Sequence, residues 1–160
     1  MSVEVEIRPY RLPDDIDGLA RVYVDSEWYH NEIDDLPPLE PPFTMDQARQ
    51  RFARITPDEK HGLFVAEVDG QVVGHIEVSM RRNHDVGAVG AYVDELAVAD
   101  GWRGRGIGTR LMAHGEAWAR GNGAISIMLD HLHTNAGAAR LYERLGYRRR
   151  GILLGKRFDA

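Results

Sequence analysis

Residues 94–111, DELAVADGWRGRGIGTRL, join an apolar strand pattern to a helical pattern through a glycine-rich turn. The strand pattern ends at Val98, and the helical pattern begins near Ile107. This junction carries three closely spaced glycines, Gly104, Gly106 and Gly108. Glycines let backbone N–H groups approach a ligand closely, and the N–H groups that open a helix carry the positive end of its dipole. The stretch therefore predicts a pyrophosphate-binding site.

Two other phosphate-binding motifs fit this stretch less well. A P-loop needs Gly-Lys-Ser/Thr at the start of the helix, whereas here Ile107 follows Gly106. A dinucleotide-binding fingerprint needs a third glycine at the position of Thr109. Arg103 and Arg105 add positive charge beside the glycines. A plain tight turn between a strand and a helix is the alternative interpretation.

Hydrophobic periodicity and turn residues predict the elements on either side of this stretch. The pair Asp69-Gly70 suits a type I′ turn and predicts a hairpin. The predicted elements are, in order, a strand over 3–8, helices over about 14–29 and 44–55, hairpin strands over 62–68 and 71–80, a strand over 88–98, a helix over 107–119, a strand over 124–131, a helix over 135–145 and a last strand or strand pair over 147–158. This β-α-α-β-β-β-α-β-α-β order predicts one α/β (α+β) domain over residues 1–160, with a mixed sheet.

Composition narrows the functions open to the chain. Its 160 residues have a formal net charge of −5 and include no cysteine, which excludes disulfides, thiolate metal sites and an acyl-cysteine intermediate. The acidic, alternating segment 1–10 is unlike a signal peptide, and no apolar run approaches the ~20 residues of a membrane span. We therefore expect a cytoplasmic protein with no membrane partner. Basic residues concentrate in the last third, but without a nucleic-acid motif we expect no nucleic-acid partner.

Two spaced motifs resemble the GNAT superfamily of N-acetyltransferases. RGRGIG (103–108) is similar to the R/Q-x-x-G-x-G/A motif of that family, and the preceding ELAV (95–98) is similar to its fourth strand. NAGAARLYERLGY (135–147) is similar to the family's N-x-x-A-x-x-L-Y-x-x-x-G-F/Y segment. The opening Ile-Arg-Pro (7–9) and the Asp-Gly hairpin also lie where the family has them. The resemblance covers nearly the whole chain, although 147–158 is shorter than the family's usual pair of closing strands.

The resemblance implies a GNAT-like fold and acetyl-coenzyme A (acetyl-CoA) as the acetyl donor. The implied sheet is mixed and mostly antiparallel, with helices on its faces and two central strands, matching 92–98 and 125–131, that splay apart. The pantetheine arm pairs with the first of these strands, the pyrophosphate meets the glycine loop, and Asn135 reaches the pantetheine from the other side. The cofactor-binding residues expected on this basis are Leu96, Ala97, Val98, Arg103, Gly104, Arg105, Gly106, Ile107, Gly108, Asn135 and Tyr142.

Transfer from a thioester to an amine needs a base for the ammonium proton and a donor for the departing thiolate. Tyr142 occupies the family's tyrosine position, which implies the role of acid; a packing aromatic is the alternative. The base is left open between Glu95 and Asp130, with a slight preference for Glu95, and a solvated strand-end carboxylate is the alternative for each. His131 and His133 form an H-x-H pair, but no third ligand has suitable spacing, so no metal is expected.

The acceptor is an amine that the sequence does not identify. In the family, the first two helices and their connection form the acceptor wall. Here that region holds two aromatic and five acidic residues: Trp28, Tyr29, Glu27, Glu32, Asp34, Asp35 and Glu40. Such a wall suits a primary amine on a cationic small molecule, and an ordinary solvated acidic face is the alternative. A protein lysine or N-terminal acetyltransferase, a non-catalytic acyl-CoA sensor or interaction module, and a homodimer are also left open.

Overall fold

The computed structural model describes residues 4–36, 43–82, 87–156 and 158. Within these ranges the elements are β1 (Glu6–Pro9), α1 (Ile16–Ile33), α2 (Met45–Ala53), β2 (His61–Val68), β3 (Gln71–Arg82), β4 (Val89–Val98), α3 (Ile107–Gly121), β5 (Ile127–Met128) and α4 (Ala136–Arg144). Their order is the predicted order up to the last helix. Val3, which belongs to the predicted first strand, lies outside the described residues. No helix in these ranges is both long enough and apolar enough to cross a membrane.

Local sequence signals set several of these boundaries. The Thr44 hydroxyl accepts a hydrogen bond from the Gln47 N–H, and the Gln47 side chain accepts one from the Thr44 N–H, so a capping box opens α2. Asp69 and Gly70 have φ values of 48° and 78°, the left-handed pair that a type I′ turn requires. The predicted hairpin is therefore confirmed. Gly146, with φ of 87°, follows the end of α4 as predicted.

The five strands form one mixed sheet in chain order. β1 to β4 are antiparallel to their neighbours, and β5 is parallel to β4. One face packs against α3 and α4 through a core that includes Ile76, Val78 and Leu111. The other face packs against α1 and α2 through a core that includes Leu63 and Val65. Because helices cover both faces, β2 and β3 are buried along most of their length.

A β-bulge near the middle of β4 decides which way its side chains point. Val93 pairs with Val78 and Glu95 pairs with Glu77, which leaves Asp94 as an extra residue. Val93 packs in the α3 core on one side of the bulge, and Leu96 and Val98 lie against the same core on the other side. Glu95 therefore shares its face with Ala97, which packs in the core under α1 and α2.

The predicted splay of the central strands is present. β5 pairs with β4 only through Ala91–Ile127 and Tyr92–Met128, and beyond Tyr92 the two strands separate. The predicted strand over 124–131 is therefore paired at only two of its residues. On the side of β4 opposite β3, the residues from about Val93 to Val98 therefore have no neighbouring strand in the part of the chain that the structure describes.

The prediction of a last strand over 147–158 is wrong for the described residues of that range, which form no strand. Ile152, Leu153 and Leu154 are 88%, 86% and 86% exposed, so their side chains gain nothing from a sheet face. The physical reason is that β5 has only two paired residues, so it offers a further strand few backbone groups for hydrogen bonding. Apolar sequence alone does not create a strand without such a partner.

Candidate active site

The two motifs meet in one groove of about 460 Å³ between β4, the start of α3 and α4. The predicted cofactor-binding residues that line it are Leu96, Ala97, Val98, Arg103, Gly104, Gly106, Ile107, Gly108, Asn135 and Tyr142. Arg105 is outside the lining. The guanidinium of Arg105 lies 4.9 Å from the ring centre of Trp102, which is itself a lining residue. The structure thus brings together residues that are up to 46 positions apart, from Leu96 to Tyr142.

The glycine loop presents backbone to the groove. Gly104 and Gly106 have φ values of 73° and 78°, which residues other than glycine rarely adopt. Gly106 is the N-cap of α3, with no side chain to satisfy the opening N–H groups of the helix. A Cβ atom built on Gly106 would have no neighbour within 4 Å, so its surroundings are open. These N–H groups can therefore receive an anion that enters the groove.

Arg103 fastens the loop to the neighbouring elements. Its Nε donates a hydrogen bond of 3.1 Å to the Val98 carbonyl oxygen, at the end of β4. Its guanidinium carbon lies 4.5 Å from the ring centre of Tyr29 in α1. The positive charge of Arg103 is thereby fixed beside the glycine loop, between the cofactor side of the groove and α1.

Asn135 has a local structural role. Its side-chain oxygen accepts a hydrogen bond of 3.0 Å from the Ala138 N–H and so caps α4. One lone pair of that oxygen is therefore engaged, and the amide nitrogen and the second lone pair are available for the predicted contact with a ligand. The cap fixes the start of α4 and with it the position of Tyr142, seven residues later on the same helix.

Tyr142 lines the groove and is 9% exposed. Its ring packs between those of His131 and Tyr147, with 5.8 Å between ring centres in each case. Burial, followed by the carboxylates of Glu95 and Asp130, raises the pKa of Tyr142 to about 12. The phenol therefore keeps its proton at neutral pH and can donate a hydrogen bond to an anionic atom.

Glu95 has the environment expected of a general base. Burial raises its pKa to about 7, and the carboxylate of Glu27 is the next cause. The carboxylates of Glu77 and Asp94 act in the same direction, whereas the guanidinium of Arg51 acts against them. A carboxylate that titrates near neutral pH is well matched to accept a proton there. Glu95 is not part of the groove lining and lies behind it, next to Leu96.

Asp130, the other candidate base, has a different environment. It is exposed and accepts a short hydrogen bond from the Tyr92 hydroxyl. This hydrogen bond is the main cause that raises the pKa of Tyr92 to about 12. Tyr92 is in turn covered by the Arg81 guanidinium, 3.7 Å from the ring centre. Asp130 thus takes part in a surface cluster and also acts on Tyr142, whereas Glu95 is the candidate whose own pKa is raised.

The predicted acidic wall is only partly assembled at the site. Glu27 acts on Glu95, and Asp34 accepts a hydrogen bond of 2.9 Å from the Leu36 N–H just beyond α1. Asp35 pairs at 2.8 Å with Nε2 of His133, in the segment before α4. Glu32 is exposed, and Glu40 lies outside the described residues. Glu27 is therefore the member of this segment with a direct electrostatic link to the candidate base.

The two histidines of the H-x-H pair contact different partners. His131 packs on Tyr142, and His133 pairs with Asp35. In the described ranges, no three His, Asp or Glu side chains gather as a set that could hold a metal ion.

Sequence reasoning missed the part of the groove that other elements supply. Tyr29, which belongs to the predicted wall, lies in the lining. The lining residues that were not predicted are Ser26, His30, Trp102, Thr109, Gly137, Ala138, Arg140, Leu141 and Arg144. Arg140 and Arg144 lie one helical turn apart on α4, and that spacing was available in the sequence. Ser26 and His30 carry no such signal, because only the packing of α1 over the end of β4 brings them to the groove.

Comparisons with known proteins agree with this architecture. The model of the acetyltransferase (GNAT) family matches residues 20–147. An uncharacterised N-acetyltransferase of Methanocaldococcus jannaschii is 32% identical over 113 residues, which are 68% of this chain and 48% of that protein. The chain therefore spans about half the length of this curated relative.

Two solved structures share the fold. A Bacillus halodurans protein superposes with a TM-score of 0.81 at 19% identity, covering 96% of this chain and 99% of that one. An aminoglycoside N-acetyltransferase, solved in complex with coenzyme A, superposes with a TM-score of 0.76 at 16% identity, covering 100% of this chain and 98% of that one.

Proposed function

Because the chain belongs to the acetyltransferase (GNAT) family, we propose that it transfers the acetyl group of acetyl-CoA directly to a primary amine. One observation carries the proposal. The two motifs form a single groove, a buried and protonated tyrosine lines it, and a carboxylate whose pKa is raised to about 7 lies behind it. The relevant side chains are Tyr142 and Glu95. We further propose that the acceptor is a cationic small molecule.

The groove fits acetyl-CoA in size and in chemistry. Its volume is within the range of about 300–1,000 Å³ that small-molecule sites occupy. The N–H groups at Gly106 and the start of α3 would hold the pyrophosphate, and the free edge of β4 at Leu96 and Val98 would pair with the pantetheine amides. Acetyl-CoA would supply the activated thioester, and the chain would supply the orientation and the proton transfers.

Glu95 would remove the proton that the acceptor ammonium must lose before it can attack. An alkyl ammonium has a pKa of about 10.4, so forming the neutral amine at pH 7 costs about 4.6 kcal/mol. Glu95 would take up the released proton, directly or through one water molecule. Tyr142 would donate its phenolic hydrogen bond to the sulfur as the carbon–sulfur bond breaks. With no cysteine in the chain, transfer without an acyl-cysteine intermediate follows.

The charges around Glu95 support a cationic acceptor. Glu27, Glu77 and Asp94 all act on Glu95 as negative charges, and Arg51 alone opposes them among the described groups that perturb it. A positively charged amine that enters beside these carboxylates would be attracted before it is deprotonated. The name of the aminoglycoside N-acetyltransferase of the same fold is consistent with such an acceptor.

Replacing Gly106 by Val should abolish the thermal stabilisation that acetyl-CoA gives to the folded protein. The left-handed φ of Gly106 strains any branched side chain, and the added methyl groups would cover the N–H groups that receive the pyrophosphate. Differential scanning fluorimetry with and without acetyl-CoA measures the effect. The matched control is Gly123→Val, which has a similar φ of 88° but lies after α3 and outside the groove lining. Equal stabilisation of both variants by acetyl-CoA would contradict this placement.

The function itself is tested by thiol release from acetyl-CoA in the presence of a panel of amines. We expect turnover with diamines, polyamines or aminoglycosides and much less with neutral amines of similar size. Initial-rate plots at several fixed acceptor concentrations should intersect, because both substrates must be bound together. Parallel lines would contradict direct transfer, and binding of acetyl-CoA without turnover of any amine would favour a non-catalytic sensor.

A further inference from the structure

Glu77, one of the carboxylates that act on Glu95, lies on β3 under the two N-terminal helices. Its side chain is only 8% exposed. One carboxylate oxygen accepts a hydrogen bond of 2.6 Å from Nη2 of Arg51 in α2, and the other lies 2.8 Å from Nε2 of His61 at the start of β2. The Arg51 guanidinium also packs on the rings of Tyr23 and Phe52, at 4.9 and 4.8 Å from the ring centres. Glu77 is therefore clamped from two sides.

The strand register places this clamped carboxylate next to the candidate base. Glu77 and Glu95 are direct partners across the β3–β4 ladder, and both face α1 and α2. The bulged residue Asp94 immediately precedes Glu95, so the Glu77–Glu95 pair lies directly beside the register shift. Directly opposed like charges are unfavourable in a sheet, and the energy is lowered if one carboxylate takes up a proton.

The partners of the two carboxylates decide which of them takes up that proton. Glu77 receives hydrogen bonds from two basic side chains, which favour its charged form. In the described part of the chain, Glu95 has no such side-chain partner. The hydrogen bonds therefore leave Glu95 as the carboxylate of the pair that takes up the proton.

We propose that Glu77 is a positioning residue for catalysis, because its carboxylate compensates the charge of the Arg51 guanidinium, which also faces Glu95, and so keeps Glu95 a stronger proton acceptor than it would be beside an unpaired Arg51. The proposal rests on the proposed function, in which Glu95 is the base. Glu77 itself is not among the residues that line the groove.

Other charged and titratable groups also face Glu95, and their effects on its pKa stay the same in the test. They are Glu27 and Tyr23 from α1, Arg51 from α2, Asp94 from β4 and Tyr142 from α4. None of them is changed by a substitution at Glu77. An effect of that substitution on Glu95 therefore reports the Glu77 charge together with the guanidinium it leaves uncompensated.

The test is a carboxyl ¹³C NMR titration of Glu95, with its resonance identified by its absence in Glu95→Gln. In Glu77→Gln, Glu95 should titrate about one pH unit lower, because a nearby anion is lost and Arg51 is left as an uncompensated cation. Glu77→Asp keeps the charge and should leave the midpoint near that of the unchanged protein. The matched control is Glu67→Gln, which removes a carboxylate from the Arg8 cluster at the other end of β2 and should not move the midpoint.

Arg51→Gln provides a second variant with the opposite sign. It leaves the carboxylate of Glu77 held by His61 but removes the cation, so Glu95 should titrate at a higher pH. Opposite shifts from two substitutions in one cluster cannot come from a general loosening of the fold. An unchanged midpoint in folded Glu77→Gln, or shifts of equal sign in both variants, would overturn the proposal.

The titration does not depend on turnover, so the inference and the proposed function fail separately. If the protein acetylates amines, the acidic limb of the kcat/KM profile should move down in pH by the same amount in Glu77→Gln. If no amine is a substrate, the NMR midpoint of Glu95 still tests the role of Glu77 independently of the proposed function.

Discussion

Glu95→Gln should lower kcat/KM for the acceptor amine by about a hundred- to ten-thousandfold, the usual contribution of a positioned general base. The substitution keeps the shape of the side chain and removes only its ability to take up a proton. In the unchanged protein kcat/KM should rise as the pH increases through about 7, because Glu95 accepts a proton only after losing its own. In the variant this rise should disappear. Steady-state kinetics between pH 5.5 and about 9 measure both effects.

Loss of folding would give the same fall in activity, and stability separates the two causes. The pKa of Glu95 in the folded state is raised from 4.5 to about 7, so the unfolded chain releases this proton at lower pH. Folding stability therefore falls as pH rises from 4.5 to 7, and above pH 7 the buried charge is a net cost. Glu95→Gln should consequently melt at the same or a higher temperature than the unchanged protein at pH 8.

Asp130→Asn is the matched control for the base. Asp130 is exposed and hydrogen-bonded by Tyr92, so its neutralisation should change kcat/KM by no more than a few fold. If Asp130→Asn were the more damaging substitution, the assignment of the base would have to move to the end of β5.

Tyr142→Phe should lower kcat by about ten- to a thousandfold and leave the affinity for acetyl-CoA within a few fold. The phenylalanine keeps the ring between His131 and Tyr147 and removes only the hydroxyl. Because that hydroxyl is needed only as the carbon–sulfur bond breaks, its loss should appear in turnover and not in cofactor binding. Calorimetric titration with coenzyme A and saturating kinetics give the two quantities.

The raised pKa of Tyr142 also decides whether it transfers its proton to the thiolate or only donates a hydrogen bond. A thiol resembling cysteine has a pKa near 8.5, and the phenol has a pKa of about 12, so complete proton transfer is uphill by about 5 kcal/mol at 1.36 kcal/mol per unit. Donation of a hydrogen bond to the developing thiolate carries no such cost. Normal turnover of a folded, cofactor-saturated Tyr142→Phe would show that Tyr142 is a packing residue.

Local signals in the sequence were sufficient for much of the fold. Thr44 with Gln47, and Asp69 with Gly70, set a helix start and a turn through contacts with their own neighbours, so both could be predicted. The last strand could not, because a strand exists only where another strand offers hydrogen bonds. The apolar run around Leu153 has the composition of a strand and lacks that partner in the described residues.

The candidate site shows the same division. Gly106 and Tyr142 belong to motifs whose spacing is visible in the chain, and the structure places both in one groove. The environment of Glu95 depends on a bulge at Asp94 and on Glu77 from another strand, neither of which leaves a local signal in the sequence. Arg105 and Asn135 were predicted from the motifs, but their side chains are engaged by Trp102 and the N-terminus of α4.

The most direct measurement is mass spectrometry of the products formed from acetyl-CoA labelled with ¹³C in its acetyl group. The protein is incubated with the labelled donor and a diamine, polyamine or aminoglycoside, and both the amine and the protein are analysed. We predict labelled acetyl on an amine nitrogen, one free coenzyme A for each product molecule, no label on the protein, and a rate reduced in Glu95→Gln and Tyr142→Phe. Acetyl-CoA that binds in the groove but yields no acetylated amine from any acceptor, or label retained covalently on the protein, would contradict direct acetyl transfer.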